Sequence, residues 1–95
     1  MAALVTISTP GMTTEGYDRI ASGASESLSA AVGFQFHVAY PTADGIVVME
    51  VWDSADQHTQ WFEEYVRPHL PPGTEPSHEV IELHNVLTPS SIYTP

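Results

Sequence analysis

The sequence has no cysteine and no lysine, and Arg19 and Arg67 are its only two strongly basic residues, against twelve acidic ones. The absence of cysteine excludes thiolate catalysis, disulfides, zinc fingers and iron–sulfur clusters. With a formal net charge of −10 at pH 7, the chain also lacks the basic patch that nucleic acids and anionic membrane surfaces require. We therefore expect neither among its partners, and the charge favours neutral or cationic ligands.

Long apolar runs are missing as well. No stretch approaches the roughly 20 apolar residues of a membrane span, and the N-terminus MAALVTISTP lacks the basic and apolar segments of a signal peptide. We therefore expect a cytoplasmic protein. The 95 residues, 42% of them hydrophobic, predict one globular domain over residues 1–95. So short a chain buries little more than about 60% of its unfolded surface, and a partner subunit would stabilise it.

The hydrophobic patterns predict the element order β-α-β-β-α-β. Strands are predicted at residues 4–8, 34–40, 46–52 and 78–87, where apolar residues alternate, and helices begin after the predicted caps Thr13 and Ser54. This order in short segments is typical of a ferredoxin-like α+β fold, a four-stranded antiparallel sheet with two helices on one face. In the polar tail that follows, Ile92 and Tyr93 are able to dock on a neighbour.

The central hairpin has two faces of different character. If Tyr40 pairs with Gly45, His37 lies opposite Val48 and Gln35 opposite Glu50. We predict that the helices cover the fully apolar face, because the reverse arrangement would bury His37 and Glu50, and an unpaired buried charge costs several kcal/mol, on the order of 3–5. The residues predicted under the helices are Phe34, Phe36, Val38, Tyr40, Val47, Met49 and Val51.

The opposite face is predicted to be free of helices and to mix polar with apolar side chains. That mixture is too polar for a core and too apolar to face water, and it is typical of a ligand pocket. Two such sheets facing each other would form a barrel around it. The first strand is expected to send Val5 and Ile7 to the core. The mixed face is predicted to hold Leu4, Thr6, Gln35, His37, Ile46, Val48, Glu50, Trp52, Val80, Glu82 and His84.

His37 is the first candidate catalytic residue, because a strand interior has little structural use for histidine. Histidine changes its charge near neutral pH, which suits a general base that removes a phenolic or enolic proton. Glu50 is expected to orient this base or share its proton, and His84 is a second candidate base. The alternative is that His37 is an interior histidine or a dimer contact.

Six further residues are predicted to bind the substrate. They are Thr6, Gln35, Val48, Trp52, His58 and Trp61. Trp52 also has a purely structural explanation, since an aromatic residue packs well where a strand ends before a helix cap. A metal site of His37, His84 and Glu50 would have the two-histidine, one-carboxylate ligand set, but no short local motif supports it. We predict neither a metal nor a cofactor.

The motifs PGMT, before the first helix, and GFQFHVA with DGIVVMEVWDS, in the hairpin, resemble a known family. Over about residues 3–88 the chain resembles the dimeric α+β barrel superfamily and, within it, the antibiotic-biosynthesis-monooxygenase group. The resemblance implies a homodimer with its sheets packed face to face and a pocket within the barrel or between each sheet and its helices. Members include cofactor-independent oxygenases of polyketide quinols, haem-degrading enzymes, polyketide cyclases and lactone isomerases.

The chain departs from the haem-degrading branch. That branch has an asparagine in the first strand and a haem-binding histidine on the second helix, where this chain reads Gln60-Trp61-Phe62-Glu63. The resemblance therefore implies a small dimeric enzyme acting on an aromatic or polyketide-like molecule, with monooxygenase-like chemistry that needs no cofactor. The alternatives are a cyclase or isomerase of the same fold and a non-catalytic dimeric binding or accessory protein.

Overall fold

The computed structural model describes residues 1–89, so the predicted docking of Ile92 and Tyr93 lies outside the described residues. The elements are β1 (Ala3–Pro10), α1 (Thr14–Ser29), β2 (Phe34–Pro41), β3 (Gly45–Trp52), α2 (Ala55–Tyr65), a 3-10 turn (Arg67–His69) and β4 (Ser77–Glu82). The strands form one antiparallel sheet in the order β2-β3-β1-β4, and both helices pack on the same face of it. The predicted ferredoxin-like fold is confirmed. Neither helix among the described residues is long and apolar enough to cross a membrane.

Both helices begin at the predicted caps. The Thr13 hydroxyl accepts a hydrogen bond from the Gly16 amide at 3.0 Å, and the Ser54 hydroxyl accepts one from the Gln57 amide at 3.3 Å. The Gln57 side chain accepts a bond from the Ser54 hydroxyl instead of returning one to its amide, so only half of a reciprocal capping box forms. Gln57 also packs on Gly33, where a Cβ would lie 2.1 Å from its amide oxygen.

The core lies between the sheet and the two helices. Val5 and Ile7 of β1 enter it, as the alternation in that strand predicted. The other buried members come from both helices and from the end of β3: Ala24, Trp52, Trp61 and Phe62. The rings of Phe34, Trp52 and Trp61 form a continuous aromatic contact. The ring centroid of Trp52 lies 5.5 Å from that of Phe34 and 5.8 Å from that of Trp61.

The predicted faces of the hairpin are wrong, because the polar face lies under the helices. Glu50 and Trp52 are only 1% and 0% exposed, whereas Phe36, Val38 and Tyr40 are 46%, 42% and 47% exposed on the helix-free face. Val47, Met49 and Val51 alternate with Glu50 and Trp52 and share that outer face. The prediction failed because it treated Glu50 as an unpaired charge, and in the structure three side chains surround its carboxylate.

The hairpin register differs from the prediction by two residues. Tyr40 pairs with Val47 instead of Gly45, which places His37 directly opposite Glu50. A bulge between Phe34 and Phe36 then sends these two side chains to opposite faces, since Phe34 pairs with Trp52 and Phe36 with Val51. The register therefore brings the side chains of His37 and Glu50 into direct contact.

The last strand is shorter than predicted. It ends at Glu82 because its partner strand begins at Ala3, which pairs with Glu82, and one further bond joins the Leu83 amide to the Ala2 carbonyl. Beyond that point β4 has no backbone partner in β1. His84 consequently follows the strand in a bend and is exposed.

Candidate active site

A cavity opens between the helix-covered face of the sheet, the first half of α1, and the end of α2 with the loop after it. It encloses about 70 Å³, and with the space at its solvent-exposed mouth the volume is about 480 Å³. Most lining residues are apolar, and the polar ones are Thr9 of β1, Tyr17 of α1, His37 of β2 and Glu50 of β3. The lining consists of Ile7, Thr9, Met12, Tyr17, Ile20, His37, Val48, Glu50, Trp61, Phe62, Val66, Leu70 and Pro76.

A chain of short hydrogen bonds runs along the polar side of this cavity. The Tyr17 hydroxyl lies 2.6 Å from His37 Nε2, and His37 Nδ1 lies 2.6 Å from Glu50 Oε2. A carboxylate only accepts, so Nδ1 carries the proton that His37 donates to Glu50, and Nε2 accepts the bond from the Tyr17 hydroxyl. This arrangement fixes the orientation and the tautomer of the His37 ring.

The second carboxylate oxygen of Glu50 is held from behind the cavity. Trp52 Nε1 donates to Oε1 at 3.0 Å, and His58 Nε2 lies 3.5 Å from the same atom. A buried charge is tolerated in a protein when hydrogen bonds replace its water shell. Glu50 is therefore a buried carboxylate fixed from two sides, able to stabilise positive charge on His37.

Secondary structure explains why these groups meet. His37 and Glu50 are cross-strand partners, and Trp52 follows Glu50 by two residues, so the pleat places all three on one face. His58 lies one turn into α2 after the Ser54 cap, and Tyr17 lies one turn into α1 after the Thr13 cap. The two capped helix starts thus place Tyr17 in the cavity lining and His58 behind Glu50.

His58 and Tyr17 have shifted acidities. Burial lowers the pKa of His58 from its ordinary 6.5, against an opposing attraction to Glu50. Within residues 1–89 its Nε2 has no hydrogen-bond partner, and its ring packs among Trp52, Phe62 and His78. Burial also raises the pKa of Tyr17 above its ordinary 10.0, and the negative charges of Glu50 and Asp18 add to the increase. Tyr17 is consequently a neutral phenol at physiological pH.

The buried imidazole predicts that acid destabilises the fold. Because the pKa of His58 is lower in the folded chain, the unfolded chain binds more protons as the pH falls through about 6.5. We expect the free energy of unfolding to be constant near pH 8 and to decrease below about pH 6.5, as measured by urea denaturation. His78, whose pKa is also lowered by burial and then by Arg67, adds to the effect.

A His58→Leu variant tests this assignment, since it removes the buried titrating group from an aromatic environment. Its stability should depend less on pH between about 5 and 7. His69→Leu is the matched control, because His69 is exposed and its loss should leave the slope unchanged. Equal slopes in the wild type and the His58→Leu variant would contradict the assignment.

The structure brings six of the nine predicted site residues to this region and leaves three outside it. His37, Glu50, Val48 and Trp61 line the cavity, and Trp52 and His58 support it from behind. The predicted placement of Thr6, Gln35 and His84 in the same site is wrong. Thr6 lies on the outer face, Gln35 lies in the bulge and donates to Asp53 at 2.8 Å, and His84 lies past the end of β4.

Tyr17 lines the cavity but was not among the predicted site residues. In the sequence its spacing to Ile20, Ala24 and Leu28 is helical, so it belongs to an apolar stripe of the first helix. Because the helices cover the face that carries His37, the Tyr17 hydroxyl on α1 contacts the His37 ring. Within residues 1–89 no three metal-binding side chains lie close enough to form a site, and the hypothetical group of His37, His84 and Glu50 is not assembled.

Comparisons with known proteins identify the fold. No protein-family model and no curated protein matches the chain. Its structure is similar to that of SnoaB, a cofactor-independent oxygenase from Streptomyces nogalater, with a TM-score of 0.64 at 14% identity over 90% of this chain and 95% of SnoaB. An asparagine-to-alanine mutant of SnoaB matches with a TM-score of 0.63 at 15% identity and the same coverage.

A second kind of protein shares the fold. The C-terminal RRM domain of MEC-8, in a structure bound to AGCACA, matches with a TM-score of 0.50 at 10% identity over 92% of this chain and 96% of that domain. At such low identities both likenesses concern the fold alone. The chain thus has the ferredoxin-like architecture that one cofactor-independent oxygenase and one RNA-recognition domain have in common.

Proposed function

We propose that the protein is an enzyme that removes a proton from an aromatic or polyketide-like small molecule, with His37 as the general base and Glu50 as its positioning residue. The observation that carries the proposal is the 2.6 Å bond between His37 and a fully buried carboxylate at the polar side of an apolar cavity. General bases are recognised by such geometry, in which a third group orients the imidazole and compensates its charge.

The lining of the cavity supports a neutral, largely apolar substrate. None of its lining residues is a lysine or arginine, so nothing there would pair with a carboxylate or phosphate on the substrate. The cavity volume of about 70 Å³ lies below the common range for ligand pockets, roughly 300–1,000 Å³. The figure of about 480 Å³ includes open solvent at the mouth, so the cavity would enclose only part of the substrate. The reactive end of a flat aromatic molecule would lie at Tyr17 and His37, with its remaining rings in the mouth.

The monooxygenase-like reaction follows from removing an enolic proton. Deprotonation of an aromatic ketone next to a CH2 group gives an electron-rich enolate, which reacts with molecular oxygen to form a carbon–oxygen bond. The proton held by His37 then returns to the peroxide and gives a hydroperoxide. The second C–H bond of the same carbon breaks together with the O–O bond, which leaves one oxygen atom as a new carbonyl and expels the other as hydroxide. The released proton converts that hydroxide to water, so O2 is the only co-reactant. The likeness to SnoaB supports this choice at the level of the fold.

We further propose that the protein is a homodimer built through the helix-free face of its sheet. Phe36, Val38 and Tyr40 lie exposed there together with Ile81 of β4. Exposed apolar patches of this kind on soluble proteins mark interaction sites. A second copy is the natural occupant, because an isologous contact buries the same apolar strands from both subunits. Glu79 is the one charged residue among the outward-facing positions of the four strands.

Binding of RNA on that same face is not favoured, although RNA-recognition domains share the fold. Such domains stack bases on aromatic residues of the sheet and hold the phosphates with basic groups. This face carries Phe36 and Tyr40, but both arginines lie elsewhere, Arg19 on α1 and Arg67 in the 3-10 turn after α2. A chain with a net charge of −10 would repel a polyanion.

The decisive experiment is turnover of anthrone, an enolisable tricyclic ketone, with oxygen uptake and anthraquinone formation measured above the protein-free background. The wild type should accelerate both, and His37→Gln should lower the rate at least about 100-fold, as expected for loss of a general base. His69→Gln, which changes an exposed histidine, is the matched control and should retain full activity. Sedimentation and urea unfolding of each variant establish that fold and assembly are preserved.

The other outcomes favour the alternatives. A cyclised or isomerised product from a polyketide-like substrate, without oxygen uptake, would support a cyclase or isomerase that uses the same base. Equal turnover by wild type and His37→Gln would contradict the role of His37. Binding of anthrone with no turnover by the wild type would support a ligand-binding or accessory protein.

A further inference from the structure

We propose that Tyr17 is a catalytic residue that contacts the substrate and relays the proton between the substrate and His37. The inference rests on the proposed function and names the group at which the proton leaves the substrate. Tyr17 lines the cavity beside Met12 and Ile20, and its hydroxyl oxygen lies 2.6 Å from His37 Nε2.

The geometry leaves His37 without a free nitrogen. Nδ1 donates to Glu50, and Nε2 accepts from the Tyr17 hydroxyl, so each nitrogen has a short bond of 2.6 Å. Both residues line the cavity, so the Tyr17 oxygen, and not an engaged imidazole nitrogen, is the group open to a proton from the substrate. That oxygen donates its own proton to Nε2 and keeps its lone pairs free to accept another. The relay operates in this geometry without displacing Tyr17.

The position of Tyr17 is well fixed by its helix. The capped first turn of α1 places it, with its amide bonded to the Thr13 carbonyl at 2.9 Å. Its ring contacts the ring of His37 at 6.0 Å between centroids. Because a neighbouring helix supplies the hydroxyl and the sheet supplies the imidazole, the pair spans the cavity wall at the place where α1 meets β2.

The transfer conserves protons and charge. The substrate O–H or enolisable C–H bond breaks, and its proton binds the Tyr17 oxygen as the Tyr17 proton moves to His37 Nε2. The products are a substrate anion, a neutral tyrosine and a protonated His37 held by Glu50. No oxidant is needed for this step, and reversing it returns a proton to a product anion.

The charges around Tyr17 favour a relay over a stored phenolate. Burial, together with the charges of Glu50 and Asp18, raises the pKa of Tyr17, so its resting form keeps the proton. A neutral phenol is the form that can donate to His37 while it accepts from the substrate. The residues that face Tyr17 thus suit simultaneous transfer of two protons.

The test compares Tyr17→Phe with Tyr65→Phe, which removes the hydroxyl of an exposed tyrosine on α2. With anthrone as the probe, Tyr17→Phe should lower kcat about 100-fold, at the low end of the range for acid–base groups. Tyr65→Phe should be indistinguishable from wild type. In D2O the wild-type rate should fall, because the Tyr17 hydroxyl proton exchanges with solvent and moves in this step, whereas Tyr17→Phe should show little solvent isotope effect, because only the carbon-bound proton of anthrone then moves.

The outcomes separate this inference from the one on which it rests. If Tyr17→Phe keeps the wild-type rate, or exceeds it, while His37→Gln is inactive, the relay is wrong and His37 alone is the base. If both variants keep the wild-type rate, the relay and the proposed function are both wrong. A wild-type rate of proton abstraction that is the same in H2O and D2O would overturn the relay by itself, even if Tyr17→Phe did not fold.

Discussion

Replacing Glu50 by alanine is expected to lower the free energy of unfolding by about 3–5 kcal/mol, the range measured when one partner of a buried ion pair is removed. The carboxylate is 1% exposed and accepts bonds from His37 and from Trp52 Nε1, with His58 close by. Its removal leaves His37 Nδ1 and Trp52 Nε1 without their acceptor and opens a cavity beneath β3. In a domain whose total stability is about 5–15 kcal/mol, urea denaturation at pH 7.5 to 8, roughly the plateau predicted for His58, should reveal the loss clearly.

Two controls separate the network from simple loss of charge. Glu50→Gln keeps the shape and one acceptor oxygen, and should cost only about 1–2 kcal/mol. Glu63→Ala breaks the exposed pair between Glu63 on α2 and Arg67 in the 3-10 turn, and should cost at most about 1 kcal/mol. A cost for Glu50→Ala as small as that for Glu63→Ala would mean that the buried bonds contribute little to folding.

Most of the architecture was readable from the sequence because its signals are local. The alternation in the strands and the caps at Thr13 and Ser54 depend on residues a few positions apart, and the order β-α-β-β-α-β then leaves few topologies. The signal that ends β4 is not local. It depends on where β1 begins, since Glu82 pairs with Ala3 and a longer β4 would extend past its partner.

The covered face of the hairpin could not be predicted from the hairpin itself. Alternation separates Phe36, Val38 and Tyr40 from His37 and Glu50 but does not state which set meets the helices. The estimated cost of burying charge favoured the wrong set because it left out the contacts of Glu50 with Trp52 and His58. Both residues were predicted to bind the substrate instead. With the hydrogen bond from Trp52 and the nearby His58 ring counted, burying Glu50 under the helices becomes acceptable and leaves the apolar set outside.

The candidate site was therefore predicted in part. Glu50 was predicted to act on His37 because the two residues lie on one face of the hairpin. A register error of two residues leaves each side chain on its own face, so this prediction did not depend on the exact register. Tyr17 could not be found in the same way, since its contact with His37 joins α1 to β2 and depends on the packing of the helix over the sheet. Residues that act across elements need the fold before they can be recognised.

The outer face that this packing leaves exposed gives the second large expectation, that Val38→Glu converts the proposed homodimer into a monomer. Val38 lies on the helix-free face opposite Met49 and is 42% exposed, so the folded subunit should tolerate a charge there. In a two-fold interface each substitution enters twice, and burial of two unpaired carboxylates should raise the dissociation constant at least about 1,000-fold, or roughly 4 kcal/mol.

Sedimentation velocity at micromolar concentrations should show the wild type as a dimer and Val38→Glu as a monomer with an unchanged urea midpoint. The matched control is Val32→Glu, which makes the same change at a residue that is 78% exposed in the connection between α1 and β2, away from the sheet face. That variant should remain dimeric. A wild type that sediments as a monomer, or a dimer that Val38→Glu leaves intact, would contradict assembly through this face. The cavity lies on the opposite side of the sheet, so comparing anthrone turnover in the monomeric variant with the wild type would show whether catalysis depends on the second subunit.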